Sequence, residues 1–252
     1  MEILGIDIGG SGIKGGIVDV EKGELITDRH RIPTPKPATP HAVVETVRNI
    51  VEEFKWKGDI GCGFPAAVKH DVVKTASNID KTWIGLDAAK KIELATGCRT
   101  HLVNDVDAAG YAEMTYGAGK GNKGTVVMVA AGTGIGTSLF SEGVLFPNSE
   151  LGFVRLKDCI PGELYAANSV RKKEELSWED WGKRFNEYLV RVESLFWPDL
   201  FIIGGGISKK FSEFSAFLQC EATIKPAEMK NHAGIIGAAV AADHIERNQL
   251  NV

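Results

Sequence analysis

Two periodicities alternate along this chain. Glu2 to Ile8 is largely apolar and β-branched, the pattern of a buried strand, and it breaks at Gly9-Gly10-Ser11-Gly12. Ile13 to Val20 is strand-like again, and Glu21 to Glu24 reads as a turn. Leu25 to Ile32 predicts a third strand, so the opening is an antiparallel meander. Pro33, Pro35, Pro37 and Pro40 then predict an extended connector, because each ring fixes φ and removes a donor. After it the period changes: Val43, Val47, Ile50, Val51 and Phe54 fall on one face at helical spacing. Asp59 to Gly63 reads as a short buried strand, Leu86 to Thr96 as a helix, His101 to Asn104 as a strand and Ala108 to Tyr116 as a helix.

The opening pattern then returns. Thr125 to Ala131 is a buried strand, Gly132-Thr133-Gly134-Ile135-Gly136 a glycine loop, and Thr137 to Phe140 a second strand. Strand, glycine loop, strand thus occurs once in each half, as two glycine hairpins facing one another across a cleft would require. The remainder is αβα in pattern. Ser177 with Asp180 three residues on marks a helix start, and Trp181, Phe185, Tyr188, Leu189, Val192 and Phe196 stripe one face, a core stripe rather than a cofactor box. Asp199 to Ile203 predicts a strand ending in Gly204-Gly205-Gly206, with Ser208 placed to cap a helix after it. Ala233 to Ile245 predicts a final helix.

The composition, 44% hydrophobic and 25% charged over 252 residues, is that of a globular chain with a real core, in one large domain or two lobes. A net charge of −4 argues against a surface built for nucleic acid, without excluding a local basic groove. The four cysteines form no C-x-x-C pair, so the expectation is reduced thiols and no zinc. The first strand begins at Glu2 without a basic or apolar leader, and no run reaches the length of a membrane span. The expected compartment is the cytoplasm.

Three segments carry chemistry. Asp7-Ile8-Gly9-Gly10-Ser11-Gly12-Ile13-Lys14 lies between two strands, which excludes dinucleotide and Walker loops, whose glycines precede a helix. Its glycines let backbone N–H groups approach phosphate oxygens, and Ser11 adds a hydroxyl; Gly132 to Gly136 with Thr133 offers the same chemistry in the other half. Asn104-Asp105-Val106-Asp107 lies at a strand end before a helix, where open α/β sheets place ligand chemistry. Asp107 reads as the helix cap, leaving Asp105 as the base that takes a proton from an attacking hydroxyl. Gly205 and Gly206 suit a phosphate contact and a plain turn about equally.

Together these segments resemble the ROK (repressor, open reading frame, kinase) family of sugar kinases. Asp7 to Lys14, Asn104-Asp105, Ala131 to Gly136 and Glu150-Leu151-Gly152 stand in that family's order. Val68 to Gly85, Leu176 to Trp181 and Asp199 to Lys210 are similar to blocks of its polyphosphate glucokinase branch, and the likeness covers nearly the whole chain. The resemblance implies an actin-like ATPase (ribonuclease H-like) α/β fold of two lobes, each with a strand–glycine loop–strand hairpin. Residues 1–107 would form the small lobe, joined by the terminal helix 233–249, and 108–232 the large one. The implied reaction is phosphoryl transfer from polyphosphate or ATP to the 6-hydroxyl of glucose or a related hexose, in a cytoplasmic, magnesium-dependent homodimer of glycolysis. Asp105 would be the base, with Asn78, Asn104, Glu150, Phe153 and Glu163 around the sugar. Asp7 would act near magnesium. Gly9, Gly10, Ser11, Gly12, Lys14, Gly132, Thr133, Gly134, Gly136, Gly205 and Gly206 would hold the donor, and Arg171, Lys172, Lys173, Lys209 and Lys210 are basic candidates for a longer phosphate chain.

Two departures shape the expectation. The cysteine-rich zinc motif common in the wider family is missing, as it is in the polyphosphate branch. The family's usual histidine after Glu-Leu-Gly is replaced by Phe153, which leaves phosphoryl transfer firmer than glucose as acceptor. The alternatives are an ATP-only hexokinase for mannose or an N-acetylated hexose, and a non-catalytic sugar sensor, against which Asp105 argues. A repressor of the family would carry a helix-turn-helix before the first strand.

Overall fold

The computed structural model describes residues 1–77 and 79–250. They form two compact units, Glu113–Lys230 and the rest.

In the first unit, β1 (Glu2–Gly9) and β2 (Gly12–Asp19) form the opening hairpin. The third strand expected over Leu25 to Ile32 is instead two short ones, β3 (Glu24–Leu25) and β4 (His30–Ile32). Both pair with β2, but Leu25 opposes Val18 whereas Ile32 opposes Ile13, a register shifted by two residues. Between them the Thr27 hydroxyl accepts the Ile17 N–H at 3.1 Å, so a side chain replaces the next backbone acceptor and the ladder stops. After the connector, α1 (Pro40–Glu53) starts on Thr39, whose hydroxyl accepts the Ala42 N–H, with proline at the position whose N–H a helix leaves unused. It buries Val43, Val47, Ile50 and Val51. There follow β5 (Ile60–Phe64), the small hairpin β6 (Val68–Lys69) with β7 (Val72–Val73), α2 (Ala88–Thr96) capped by Asp87, and β8 (Thr100–Asn104). The sheet order is β3-β2-β1-β5-β8, with β5 and β8 parallel to β1. Next, α3 (Asp105–Tyr116) starts directly at the end of β8 and leads into the second unit.

The second unit repeats the plan. β9 (Thr125–Ala131), β10 (Ile135–Ser141) and β11 (Val144–Phe146) are antiparallel. Two short helices, α4 (Gly162–Ala166) and α5 (Asn168–Lys173), precede α6 (Trp178–Phe196). Ser177 caps α6 as expected: its hydroxyl accepts the Asp180 N–H at 3.0 Å and donates to the Asp180 carboxylate at 2.7 Å. The stripe Trp181, Phe185, Tyr188, Leu189 and Val192 is buried with Phe201 and Ile203 of β12 (Leu200–Gly204), at roughly 1.5–3 kcal/mol per large side chain. A long helix after Gly206 is not formed. Residues 206–210 make a 3-10 turn, Ser208 donates to the Gly205 carbonyl at 2.9 Å inside it, and only the single-turn α7 (Phe211–Phe214) follows. With β13 (Thr223–Pro226), the order is β11-β10-β9-β12-β13, the same sequence of two antiparallel and two parallel neighbours.

The chain then re-enters the first unit as α8 (Ala233–Leu250). Close approach explains Gly237 of this helix and Gly61 of the strand beneath it. A Cβ on Gly61 of β5 would collide with the Ala238 carbonyl, and one on Gly237 with the Ala108 carbonyl of α3.

Candidate active site

The first unit holds one half of the expected chemistry. Gly9 and Gly12 form the last rung of the β1–β2 ladder, which leaves Gly10 and Ser11 as an exposed two-residue turn. Asp7 lies two residues before it, with its carboxylate 2.7 Å from the Lys14 ammonium across the hairpin, both groups largely buried. The start of α8 closes over Asp7, because a Cβ on Gly234 would lie 2.8 Å from its carboxyl carbon.

At the end of β8 the cap is Asn104, not Asp107. The Asn104 side-chain oxygen Oδ1 accepts the N–H groups of Val106 (2.8 Å) and Asp107 (3.1 Å), while its side-chain NH2 donates to the Ala66 carbonyl at 3.1 Å. Asp107 is buried in the first turn of α3 instead. Asp105, at the first position of the helix, has a carboxyl pushed up to about 7, by desolvation first and by the negative charge of Asp7 second. Asn78 lies outside the described residues. Beside it, Asp80 caps a 3-10 turn by accepting from Thr82, and the buried Trp83 donates to the Ala38 carbonyl at 3.0 Å, fastening this loop to the connector. Gly10, Thr34, Lys36, Ser77 and Asp80 line a cavity of about 310 Å³ there.

The second unit holds the other half. In the β9–β10 hairpin, Gly132, Thr133 and Gly134 form the loop, whereas Gly136 is already in β10 opposite Ala130. Ser169 fastens α5 to this loop, its N–H donating to the Gly132 carbonyl and its hydroxyl to that of Thr133. Gly205, at φ 74°, backs onto Ala131. Thr137 pins the following turn: its hydroxyl accepts the Leu151 N–H at 3.1 Å and donates to the Ser149 carbonyl. That turn carries Glu150 and Phe153, which is 53% exposed. Glu163 on α4 reaches Gly134 so closely that a Cβ there would meet its carboxylate. Desolvation, then the Glu163 charge, holds the Glu150 carboxyl above its ordinary range. Gly134, Glu150 and Glu163 therefore share one neighbourhood. Arg171 stacks 3.9 Å over Trp178 and donates to Asn168 and the Leu176 carbonyl, which fixes its guanidinium against α6.

Thr137, Ser169 and Thr34 were not singled out by sequence, since each acts on a segment remote in the chain; Ser169, next to a basic run, gave the nearest thing to a signal. Among the described residues no three His, Cys, Asp or Glu gather as a metal cage, and no helix is long and apolar enough to cross a membrane.

Comparison with known proteins places the chain among relatives of known family. The ROK family model matches residues 3–154. The polyphosphate glucokinase of Mycobacterium tuberculosis (strain H37Rv) is 47% identical over 95% of this chain and 90% of its own length. The crystal structure of an inorganic polyphosphate/ATP-glucomannokinase from Arthrobacter sp. strain KM superposes with a TM-score of 0.90 at 43% identity, covering 96% of this chain and 99% of that one. A ROK family glucokinase from Streptomyces griseus, solved with glucose and AMPPNP, gives a TM-score of 0.79 at 24% identity, with 95% and 98% covered. The shared architecture is the actin-like ATPase fold.

Proposed function

The chain belongs to the ROK family, and on that premise we propose that it is a sugar kinase moving a phosphoryl group from inorganic polyphosphate or ATP to the 6-hydroxyl of glucose. Asp105 carries the reading: a carboxyl raised to about 7 at a strand end, in the unit that also holds a glycine hairpin. It takes the hydroxyl proton as the sugar oxygen bonds to the terminal phosphorus; the donor's P–O bond breaks, releasing a shortened polyphosphate or ADP. Asn104 has one amide N–H left after its bond to Ala66, enough to orient a neighbouring hydroxyl. Glu150 and Glu163, held together beside Gly134, are carboxylates able to accept from sugar hydroxyls.

The donor reading is supported by the names of two relatives, a polyphosphate glucokinase and a polyphosphate/ATP-glucomannokinase. The second name, with Phe153 in place of histidine, favours mannose as a further acceptor. Magnesium fits as an ion carried by the donor, since it commonly takes one or two carboxylates plus phosphates, and the Asp7 charge is felt at Asp105. Asp7 would meet it, and the ion would neutralise charge on the phosphates. A homodimer is consistent with the exposed apolar Leu164, Val190, Leu195 and Trp197 of the second unit, and a cytoplasmic role at the entry to glycolysis with four free thiols.

The test is a matrix of donors against hexoses with product detection. Glucose 6-phosphate should form from polyphosphate and from ATP. Activity with ATP but none with polyphosphate of any chain length refutes the donor assignment, and no transfer to any hexose refutes the kinase.

A further inference from the structure

We propose that Arg31 of β4 and Lys36 of the proline-rich connector form an anion subsite beside the Gly10–Ser11 turn, which takes donor phosphate groups beyond the one transferred. The inference rests on the donor reading above, and neither residue belongs to a recognised motif. The structure wraps the connector around the turn. Arg31 donates through Nη2 to the Ser11 carbonyl at 2.7 Å, and Thr34 donates through its hydroxyl to the Gly9 carbonyl at 2.5 Å. Those two carbonyl oxygens would repel an anion, and both are occupied, one by a β4 donor and one by a connector donor. Gly12 makes room for the arrangement, because a Cβ there would lie 2.6 Å from the Arg31 Nε.

The cations have capacity to spare. A guanidinium has five N–H donors, and Arg31 spends one on Ser11, leaving an exposed fork suited to phosphate oxygens. Lys36 is exposed and lines the 310 Å³ cavity with Gly10, Thr34 and Ser77. Neither Arg31 nor Lys36 makes an ion pair among the described residues. Among the described residues lining the cavity the one opposing charge is Asp80, whose carboxylate accepts the Thr82 N–H at 2.9 Å and the Thr82 hydroxyl at 2.5 Å. Two positive charges against one bound carboxylate leave the turn with a net attraction for phosphate.

The test uses the full chain with Lys36→Gln, Arg31→Lys and Arg31→Gln, and two readouts. The first is calorimetric binding of tripolyphosphate without sugar, with orthophosphate and glucose 6-phosphate as parallel probes. The second is the KM for polyphosphate, ATP and glucose. Lys36→Gln should weaken tripolyphosphate binding and raise the donor KM by about three- to tenfold, leaving the glucose KM unchanged. Arg31→Lys should lose less than Arg31→Gln, and the orthophosphate and glucose 6-phosphate affinities should not depend on Lys36. Lys36 makes no hydrogen bond among the described residues, so its variant tests the idea even if Arg31→Gln loosens the turn. Unchanged tripolyphosphate binding and donor KM in Lys36→Gln overturn the subsite, as does Lys36-dependent binding of orthophosphate or glucose 6-phosphate equal to that of tripolyphosphate. A parent that binds tripolyphosphate through Lys36 but transfers nothing from polyphosphate removes the donor reading and leaves the subsite.

Discussion

Replacing Asp105 with asparagine should make the protein more stable and nearly inactive, with both effects set by pH. Desolvation and the Asp7 charge raise this carboxyl to about 7. Against an ordinary aspartate near about 3.9, that places a penalty of roughly 4 kcal/mol on the carboxylate. The folded chain therefore holds a proton that the unfolded chain has already lost, and stability falls as pH rises from about 4 through about 7. Asp105→Asn cannot ionise, so at pH 8 it should gain up to about 4 kcal/mol in urea unfolding, a gain that vanishes near pH 4. Turnover moves the other way. A base must be deprotonated, so kcat/KM for the hexose should rise tenfold per pH unit and level off above about 7, while the asparagine variant loses about 10²–10⁴ in kcat. Asp7→Asn should shift the acid limb downward, because it removes the second cause of the raised value. An acid limb centred at about 4 in the parent would falsify the raised carboxyl, since that is where an ordinary aspartate titrates. An asparagine variant no more stable than the parent at pH 8 would do the same.

Three further substitutions probe other parts. Phe153 is half exposed, so Phe153→His should cost little stability and lower the glucose KM by roughly 2- to 12-fold with little change in turnover; steady-state kinetics showing no gain mean that the pocket is built around the ring. Gly134→Ala should displace the flexible Glu163 carboxylate, raising the hexose KM several-fold with near-parental thermal stability, and an unmoved hexose KM removes Glu163 from the sugar site. Glu113, fully buried, accepts the N–H groups of Ala118 (2.9 Å), Glu228 (3.1 Å) and Met229 (2.8 Å). Glu113→Ala leaves all three without that acceptor and should cost about 3–5 kcal/mol in urea unfolding, with Glu113→Gln costing less; a parental midpoint for the alanine variant contradicts this.

The glycine hairpins were legible because their signal is local: a buried strand, a run of glycine, and a second strand paired directly with the first. The sheet order was not, because nothing in β5 or β12 states that each lies beside the first strand of its own unit. Ser208 and the split third strand failed for a related reason. Both rest on neighbours in sequence, and in each case a hydroxyl finds a different backbone partner: Thr27 takes the Ile17 N–H, where the ladder stops, and Ser208 donates to the Gly205 carbonyl inside a 3-10 turn. The return of α8 to the first unit did leave a trace, in small residues where the backbones of α3 and β5 come close.

Asp105 and Asp107 show what the site required beyond sequence. Either aspartate could precede a helix as its cap, and only position along the chain, with Asp105 nearer the strand, points to Asp107 in that role. Capping and base chemistry exclude one another in a single carboxylate: backbone N–H groups that satisfy a cap stabilise its charged form and draw the pKa down. Asn104 takes the cap, serving the N–H groups of Val106 and Asp107 with a neutral amide oxygen. Asp105 then receives less stabilisation from backbone N–H groups than it loses to desolvation and to Asp7. A neutral cap one residue before the base is thus the local condition for an aspartate that titrates near pH 7. Asn104→Asp tests the condition from the other side. It would place a second charge against Asp105 while keeping the cap, and should move the acid limb of kcat/KM to higher pH; an unmoved limb would show that the Asn104 side chain has no influence on the base.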